Sequence, residues 1–362
     1  MSKLDLHIHS AASDDGEYTP QEIVAMSRAQ GMELIAITDH NSVRSVAAAQ
    51  SEALSACAAS GLRVISGVEL DCTHKGRNFH LLGYCFDHTR KEFAQIEQDI
   101  LEQEKMAARE KIRLFQSATG IPVDEDEVLA ASSDGVVPGE LIADILLAKK
   151  EAPQYEILRP YLPGGAKSDM PNVRFYWDFF SEGKAAYVPV HYISLADAVS
   201  LIHDAGGISV LAHPGQNLDR GETELLESLL FREIDGIEAF SSYHDEETAA
   251  YYVEVAEKNR LLITCGSDFH GKHKPAIRLG GHGAFWDDGR IMRGLAALPG
   301  RTAPPPARTA GPAGPLAEQR QRRPAACQCF LSRQTSRFLA SSRGDGIDAL
   351  CSAHQAQGDT RR

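Results

Sequence analysis

The sequence lacks any apolar run near the ~18–20 residues that a membrane span requires. Its first ten residues, MSKLDLHIHS, place His7 and His9 where a secretory leader would need its apolar stretch. The expectation is a cytoplasmic protein with no membrane partner. None of its seven Cys residues forms a Cys-x-x-Cys pair, and Cys327-x-Cys329 is too isolated to read as a metal site. Reduced, mostly buried thiols are the reading. No Gly-rich loop followed by Lys is present to cradle nucleotide phosphates. Lys is also missing from residue 301 onward, where ten Arg and four acidic residues give +6.

That last stretch distorts the overall charge of −13, because residues 1–300 then carry −19. So acidic a body repels nucleic acid on average, yet suits metal binding. A small anionic substrate remains compatible if metals receive it. From Gly300 the chain runs RTAPPPARTAGPAGPLAEQRQRRPAA, with too few aliphatic residues to offset chain entropy. Residues 293–362 are expected to form a disordered Pro/Arg/Ala-rich tail. Its composition also fits a shifted reading frame or a basic RNA-binding tail.

What is present is a series of short aliphatic runs: 34–38, 64–68, 80–84, 208–212, 236–240 and 261–265. Each reads as a buried strand. Thr19-Pro20-x-Glu22 opens a helix with a capping box, and Gly31 stops it. A second helix begins at Ser194 and ends at Gly206-Gly207. Strand–helix alternation predicts an α/β fold with parallel strands. The alternation breaks between Asp87 and Lys184. Phe93, Ile96, Ile100, Ala107 and Leu114 recur at helical spacing through a charged stretch, and Leu141, Ile142, Ile145 and Leu146 mark another helix. A mainly helical insertion over 87–187 would thus divide a first part, 1–86, from a second, 188–292.

Five separated clusters hold most of the unusual acids and imidazoles: Asp5-Leu6-His7-Ile8-His9 with Asp14, Thr38-Asp39-His40-Asn41, Gly67-Val68-Glu69 with His80, Ala212-His213-Pro214, and Ser267-Asp268-Phe269-His270. In an extended strand His7 and His9 face one side, as two ligands of one metal must. Most clusters end an apolar strand, the usual place for a β/α-barrel active site. Imidazoles and carboxylates in one pocket suit Zn, Mn or Fe. Ser10 and Ser42 lie near histidines, but a Ser–His–Asp triad would leave most of the histidines without a role.

These motifs, in this order over residues 3 to about 285, resemble the PHP (polymerase and histidinol phosphatase) superfamily. The stretches Tyr187-Val188-Pro189, Leu201-Ile202-His203 and Val210–Gly215 look most like its stand-alone bacterial phosphoesterases acting on nucleotides and RNA 5′ ends. The resemblance implies a distorted (β/α)7 barrel carrying a helical insertion, and three divalent metal ions. His7, His9, Glu69 and Asp268 would hold one. Glu69, His80 and His213 would hold the second, and Asp14, His40 and His270 the third. One stretch departs from the pattern. Where such relatives carry an Arg–His element early in the insertion, this chain has Val137-Pro138-Gly139-Glu140-Leu141-Ile142-Ala143.

The expected reaction is hydrolysis of a phosphate ester, on a small phosphorylated substrate such as a nucleotide or short RNA, by water activated through coordination. Asp39 is expected to orient a ligating histidine, and His244 to protonate the leaving group. Arg278 is the preferred phosphate-binding cation, ahead of Lys75, Arg77, Lys272 and Lys274. Glu238 ends a strand and is either a supporting acid or a structural one. The alternatives are a histidinol-phosphate-type phosphatase and a catalytically inactive PHP scaffold.

Overall fold

A computed structural model describes residues 2–13, 15–55, 61–132, 135–283 and 288–297 of the chain. The strands are β1 (Leu4–Ile8), β2 (Leu34–Ile37), β3 (Arg63–Ile65), β4 (Gly67–His74), β5 (Arg77–Tyr84), β6 (Ile193–Ser194), β7 (Ile208–Leu211), β8 (Gly236–Ser241) and β9 (Leu262–Gly266). The helices are α1 (Pro20–Ala29), α2 (Arg44–Ser55), α3 (Lys91–Thr119), α4 (Glu125–Ala131), α5 (Gly139–Ala148), α6 (Pro171–Phe179), α7 (Leu195–Asp204), α8 (Pro214–Asn217), α9 (Thr223–Leu230), α10 (Glu246–Asn259) and α11 (Asp288–Ala297).

Two sheets result: a parallel β1-β2-β3 and a six-stranded β6-β4-β5-β7-β8-β9. The second is mixed. β5 runs antiparallel to both β4 and β7, whereas β7, β8 and β9 are parallel. The expected parallel strands are thus only part of the sheet: β4 and β5 form a hairpin with no helix between them. The single strand expected over 64–68 is also two, broken at Ser66, whose hydroxyl donates to Phe86 O (2.8 Å). Gly67 begins the new strand because a Cβ there would lie 2.4 Å from Ile37 O. Isolated parallel bridges, Ile8–Phe269 and His40–Glu69, link the two sheets on both sides.

The apolar runs form strands because they are buried on both faces; β1, β2, β7 and β8 have no exposed residue. Helix α1 has both halves of its capping box, and Gly31 follows it at φ 71°. Ser194 caps α7 by accepting the Asp197 N–H at 3.2 Å. One apolar cluster, including Leu6, Val68, Leu82, Ile202 and Ile237, fills the space against the larger sheet. A second, with Ile8, Ile23 and Ile35, lies by the smaller sheet.

Helices α3 to α6 share a third cluster of their own, centred on Ile112, Phe115, Ile142, Phe175 and Phe180. Helix α11 crosses the expected boundary at residue 293, and Ile291 and Leu295 pack into the first cluster. The rest of the expected tail lies outside the described residues, as do Cys57, Cys327, Cys329 and Cys351. Cys72 and Cys265 are buried free thiols. No helix among the described residues is long and apolar enough to cross a membrane.

Candidate metal centre

The alternation of β1 turns His7 and the following His9 to one side, and their Nε2 atoms meet at 3.2 Å. Both point at the same two carboxylate oxygens. Glu69 Oε2 is 3.0 Å from each, and Asp268 Oδ1 lies 3.4 Å from His7 and 3.1 Å from His9. Glu69 stands in β4, and its other oxygen faces His80 Nδ1 (2.8 Å) and His213 Nε2 (3.1 Å). One buried carboxylate therefore joins two groups of imidazoles. Asp71, two residues along β4 on the same face, lies opposite His80 in the hairpin register. Its Oδ1 is 3.2 Å from His80 Nε2 and 3.4 Å from His40 Nδ1.

The turns that present these groups carry backbone strain. Asn41, His213 and Asp268 have φ of 53°, 20° and 57°, uncommon for residues with a Cβ. The Asn41 side chain closes its turn by donating to Asp71 Oδ2 (2.6 Å) and accepting the Asp71 N–H (3.0 Å). The Asp5 carboxylate fastens β1 to the Asp268 loop by accepting from the Ser267 N–H, the Ser267 hydroxyl and the Gly280 N–H.

Among the described residues, four groupings place their ligand atoms within 4.8 Å of one another: His7/His9/Glu69/Asp268, Glu69/His80/His213, His9/Asp15/His40/His270 and His40/Asp71/His80. Their donors fit a divalent cation. Glu238 accepts from His7 Nδ1 (3.0 Å), and the Asp268 carbonyl accepts from His270 Nδ1 (2.9 Å). Each bond fixes a tautomer whose Nε2 lone pair faces the cluster. Buried Asp15 Oδ1 has no hydrogen-bond partner, and His40 Nδ1 and His270 Nε2 face carboxylate oxygens without hydrogen-bond geometry, an arrangement that a cation between them would satisfy.

Charge follows the same arrangement. Burial pushes the Glu69 carboxyl up, but His7, His40 and His80 overrule it and hold it well below the ordinary range. Burial opposes protonation of His7, yet Glu69, Glu238 and Asp268 raise its pKa well above normal. His270 goes the other way, to about 4, chiefly through burial.

Several expected roles shift. Asp14 lies outside the described residues, and its neighbour Asp15 stands in the third group, 2.8 Å from His270 Nε2. Asp39 does not hold a histidine ring. Its carboxylate accepts the Ser10 N–H (2.6 Å) and hydroxyl (2.9 Å), which fixes the turn after His9. His244 has both nitrogens on backbone: Nδ1 donates to Ala239 O (2.9 Å) and Nε2 accepts from Gly215 N–H (3.0 Å). Burial lowers its pKa. Its neighbour Tyr243 faces inward instead, with its hydroxyl 2.5 Å from Asp268 Oδ2.

Arg278 is exposed and does not line the cleft; Lys274 does, with Nζ 2.5 Å from Asp268 Oδ2. Burial works against the Lys274 charge, but Asp268 and Tyr243 keep its pKa above the usual value. Lys75 sits in the β4–β5 turn at φ 50° and Lys272 is exposed. Arg77 is bound to Glu222 and to Asn217 O. His203 lies in the last turn of α7, bonded to Asp235 (2.8 Å) as part of the packing.

Sequence reading missed Asp15, Asp71 and Tyr243, and placed Lys274 behind Arg278. Only Asp71 had a signal, the two-residue alternation from Glu69.

A PHP domain model matches residues 5–152. A 3′,5′-nucleoside bisphosphate phosphatase from Chromobacterium violaceum is 31% identical over 278 residues, covering 75% of this chain and 88% of the relative. The chain belongs to the PHP family. A second PHP-type relative is the phosphoribosyl 1,2-cyclic phosphate 1,2-diphosphodiesterase of Eggerthella lenta, 28% identical, with 74% of this chain and 94% of the relative covered. A solved amidohydrolase structure from Chromobacterium violaceum, with bound sulfate and no metal, superposes with TM-score 0.61 at 27% identity, over 74% of this chain and 88% of that one. This PHP chain is a metal-dependent phosphoesterase, a hydrolase of phosphate esters.

Proposed function

We propose that the chain hydrolyses a phosphate monoester of a nucleotide, using three divalent ions (Mn, Zn or Fe) at the mouth of a distorted (β/α)7 barrel closed through the bridges between its sheets. The ligand sets are His7, His9, Glu69 and Asp268; Glu69, His80 and His213; and Asp15, His40 and His270, with His9 shared toward the third. The observation that carries the reading is Glu69, whose two oxygens face separate groups of imidazoles. Ions held there would neutralise phosphoryl oxygens and lower the pKa of water.

The chain's own groups do the remainder. Glu238 keeps the His7 ring turned to the cluster and accepts the His213 N–H (2.8 Å), so a single buried acid aligns two ligands. The Lys274 ammonium offers a fixed donor to a phosphoryl oxygen. The Tyr243 hydroxyl holds Asp268 in place. The cleft above them has a volume of about 600 Å³ and lies open to substrate. Its location in the cytoplasm is part of the same proposal.

The test is phosphate release from mononucleotides, 3′,5′-bisphosphonucleotides, 5′-phosphorylated RNA and histidinol phosphate with Mn²⁺ added. Wild type is run beside Asp268→Ala and His213→Ala. Release from a nucleotide that both substitutions abolish supports the reading. Release unaffected by either would contradict it.

A further inference from the structure

Of the four groups of ligand atoms found among the described residues, the proposed reaction uses three. The fourth is His40, Asp71 and His80. Asp71 stands opposite His80 in the β4–β5 hairpin, and the bridge between His40 and Glu69 brings His40 alongside. All three side chains line the cleft. Asn41 aims the Asp71 carboxylate: its amide donates to Oδ2 at 2.6 Å and its carbonyl accepts the Asp71 N–H at 3.0 Å. Oδ1 is left to the two imidazoles, 3.2 Å from His80 Nε2 and 3.4 Å from His40 Nδ1. The rings stand nearly perpendicular, at 83°, with centroids 5.2 Å apart.

These spacings separate two kinds of contact. An N–H···O hydrogen bond closes to about 2.9 Å. Two ligands of a tetrahedral ion, with bonds of about 2.1 Å, stand about 3.4 Å apart. Buried His40 Nδ1 makes no hydrogen bond, although Asp71 Oδ1 faces it. Two imidazoles and a carboxylate suffice for a divalent ion, with water completing its shell. The other nitrogens of the same rings belong to neighbouring groups. His80 Nδ1 lies 2.8 Å from Glu69 Oε1, and His40 Nε2 faces Asp15 Oδ2 at 3.9 Å. A neutral imidazole has one nitrogen lone pair to give, so each ring serves one ion at a time. An ion beside Asp71 therefore takes His80 from the second position and His40 from the third. We propose that His40, Asp71 and His80 form a fourth cation position, filled when divalent ions are in excess and inhibitory because it draws one imidazole from each of two working positions. The inhibition, though not the binding, rests on the phosphoesterase reading above.

The experiment compares the full chain with Asp71→Asn, using Zn²⁺ as the probe. Crystals soaked at micromolar and at millimolar Zn²⁺ are read in anomalous difference maps at the zinc edge. Wild type should show a peak within bonding distance of Asp71 Oδ1 at the higher concentration only, and Asp71→Asn should show none there. In solution, nucleoside release from a mononucleotide is followed over the same Zn²⁺ range. In wild type it should fall from its maximum by about tenfold or more, the scale of a lost ligand contact. In Asp71→Asn it should fall by less than about twofold from that variant's own maximum. Should Asp71→Asn not fold, the wild-type maps decide alone. No peak beside Asp71 at millimolar Zn²⁺, or an equal fall in both chains, overturns the proposal while leaving the phosphoesterase reading intact. Absence of release at every Zn²⁺ and Mn²⁺ concentration would instead sink that reading and the inhibitory role with it.

Discussion

Single side chains decide the chemistry here, and the informative ones are those that burial forces into partnership. Lys274 is buried against Asp268, whereas Arg278 points to solvent four residues later. Replacing Lys274 with Met should lower kcat/KM by about 10²-fold, the usual cost of losing one preorganised donor. Arg278→Ala should stay within about twofold, as expected for an exposed side chain. Steady-state kinetics on metal-loaded protein would show it, and equal losses in both variants would contradict the assignment. At this scale the sequence was legible where periodicity constrained direction. His7 and His9 share a face because strands alternate, and Glu69 precedes Asp71 on one face for the same reason. In loops nothing fixes direction. Nothing in the sequence marks the direction of Asp15, or of Tyr243 beside His244, and only the path of each turn brings these side chains to the cleft.

At the scale of elements, the strands deliver the ligands and the close approaches between them are glycine positions. Gly266 ends β9 against β1, where a Cβ would fall 2.1 Å from His7 Cβ and 2.6 Å from Glu238 Oε1. Gly266→Ala must push either the ligand or the acid that orients it. The expected result is a loss of about 3 kcal/mol or more in denaturant unfolding, since overpacking alone costs roughly 1–3 kcal/mol, together with reduced metal content. A variant as stable as wild type would show that β1 and β9 are farther apart than described. Apolar runs made most strands legible, and caps made α1 and α7 so. The β4–β5 hairpin was less so. Its Lys75-Gly76 turn is short, and β4 carries polar Glu69 and Asp71 where a buried strand would be apolar. Burying these acids costs stability that only their imidazole partners, distant in sequence, explain.

Over the whole molecule, ligands come from both sheets and from the segments after β1, β2, β7 and β9. The centre therefore depends on the complete arrangement, while α3 to α6 keep a core of their own. The change in periodicity marked the helices of this stretch; how its Glu140 and aromatic residues meet the cleft was not readable, because that depends on packing between distant segments. The central claim is that one buried carboxylate unites two metal positions in a phosphoesterase. The most direct measurement is the metal content per chain, by elemental analysis, of Glu69→Gln beside wild type, with phosphate release from a mononucleotide followed on the same samples. A folded Glu69→Gln chain that has lost about two of the bound ions and at least ~10³-fold in release is predicted, because a neutral amide replaces a charged shared ligand. Full metal content, or release within tenfold of wild type, would contradict the account.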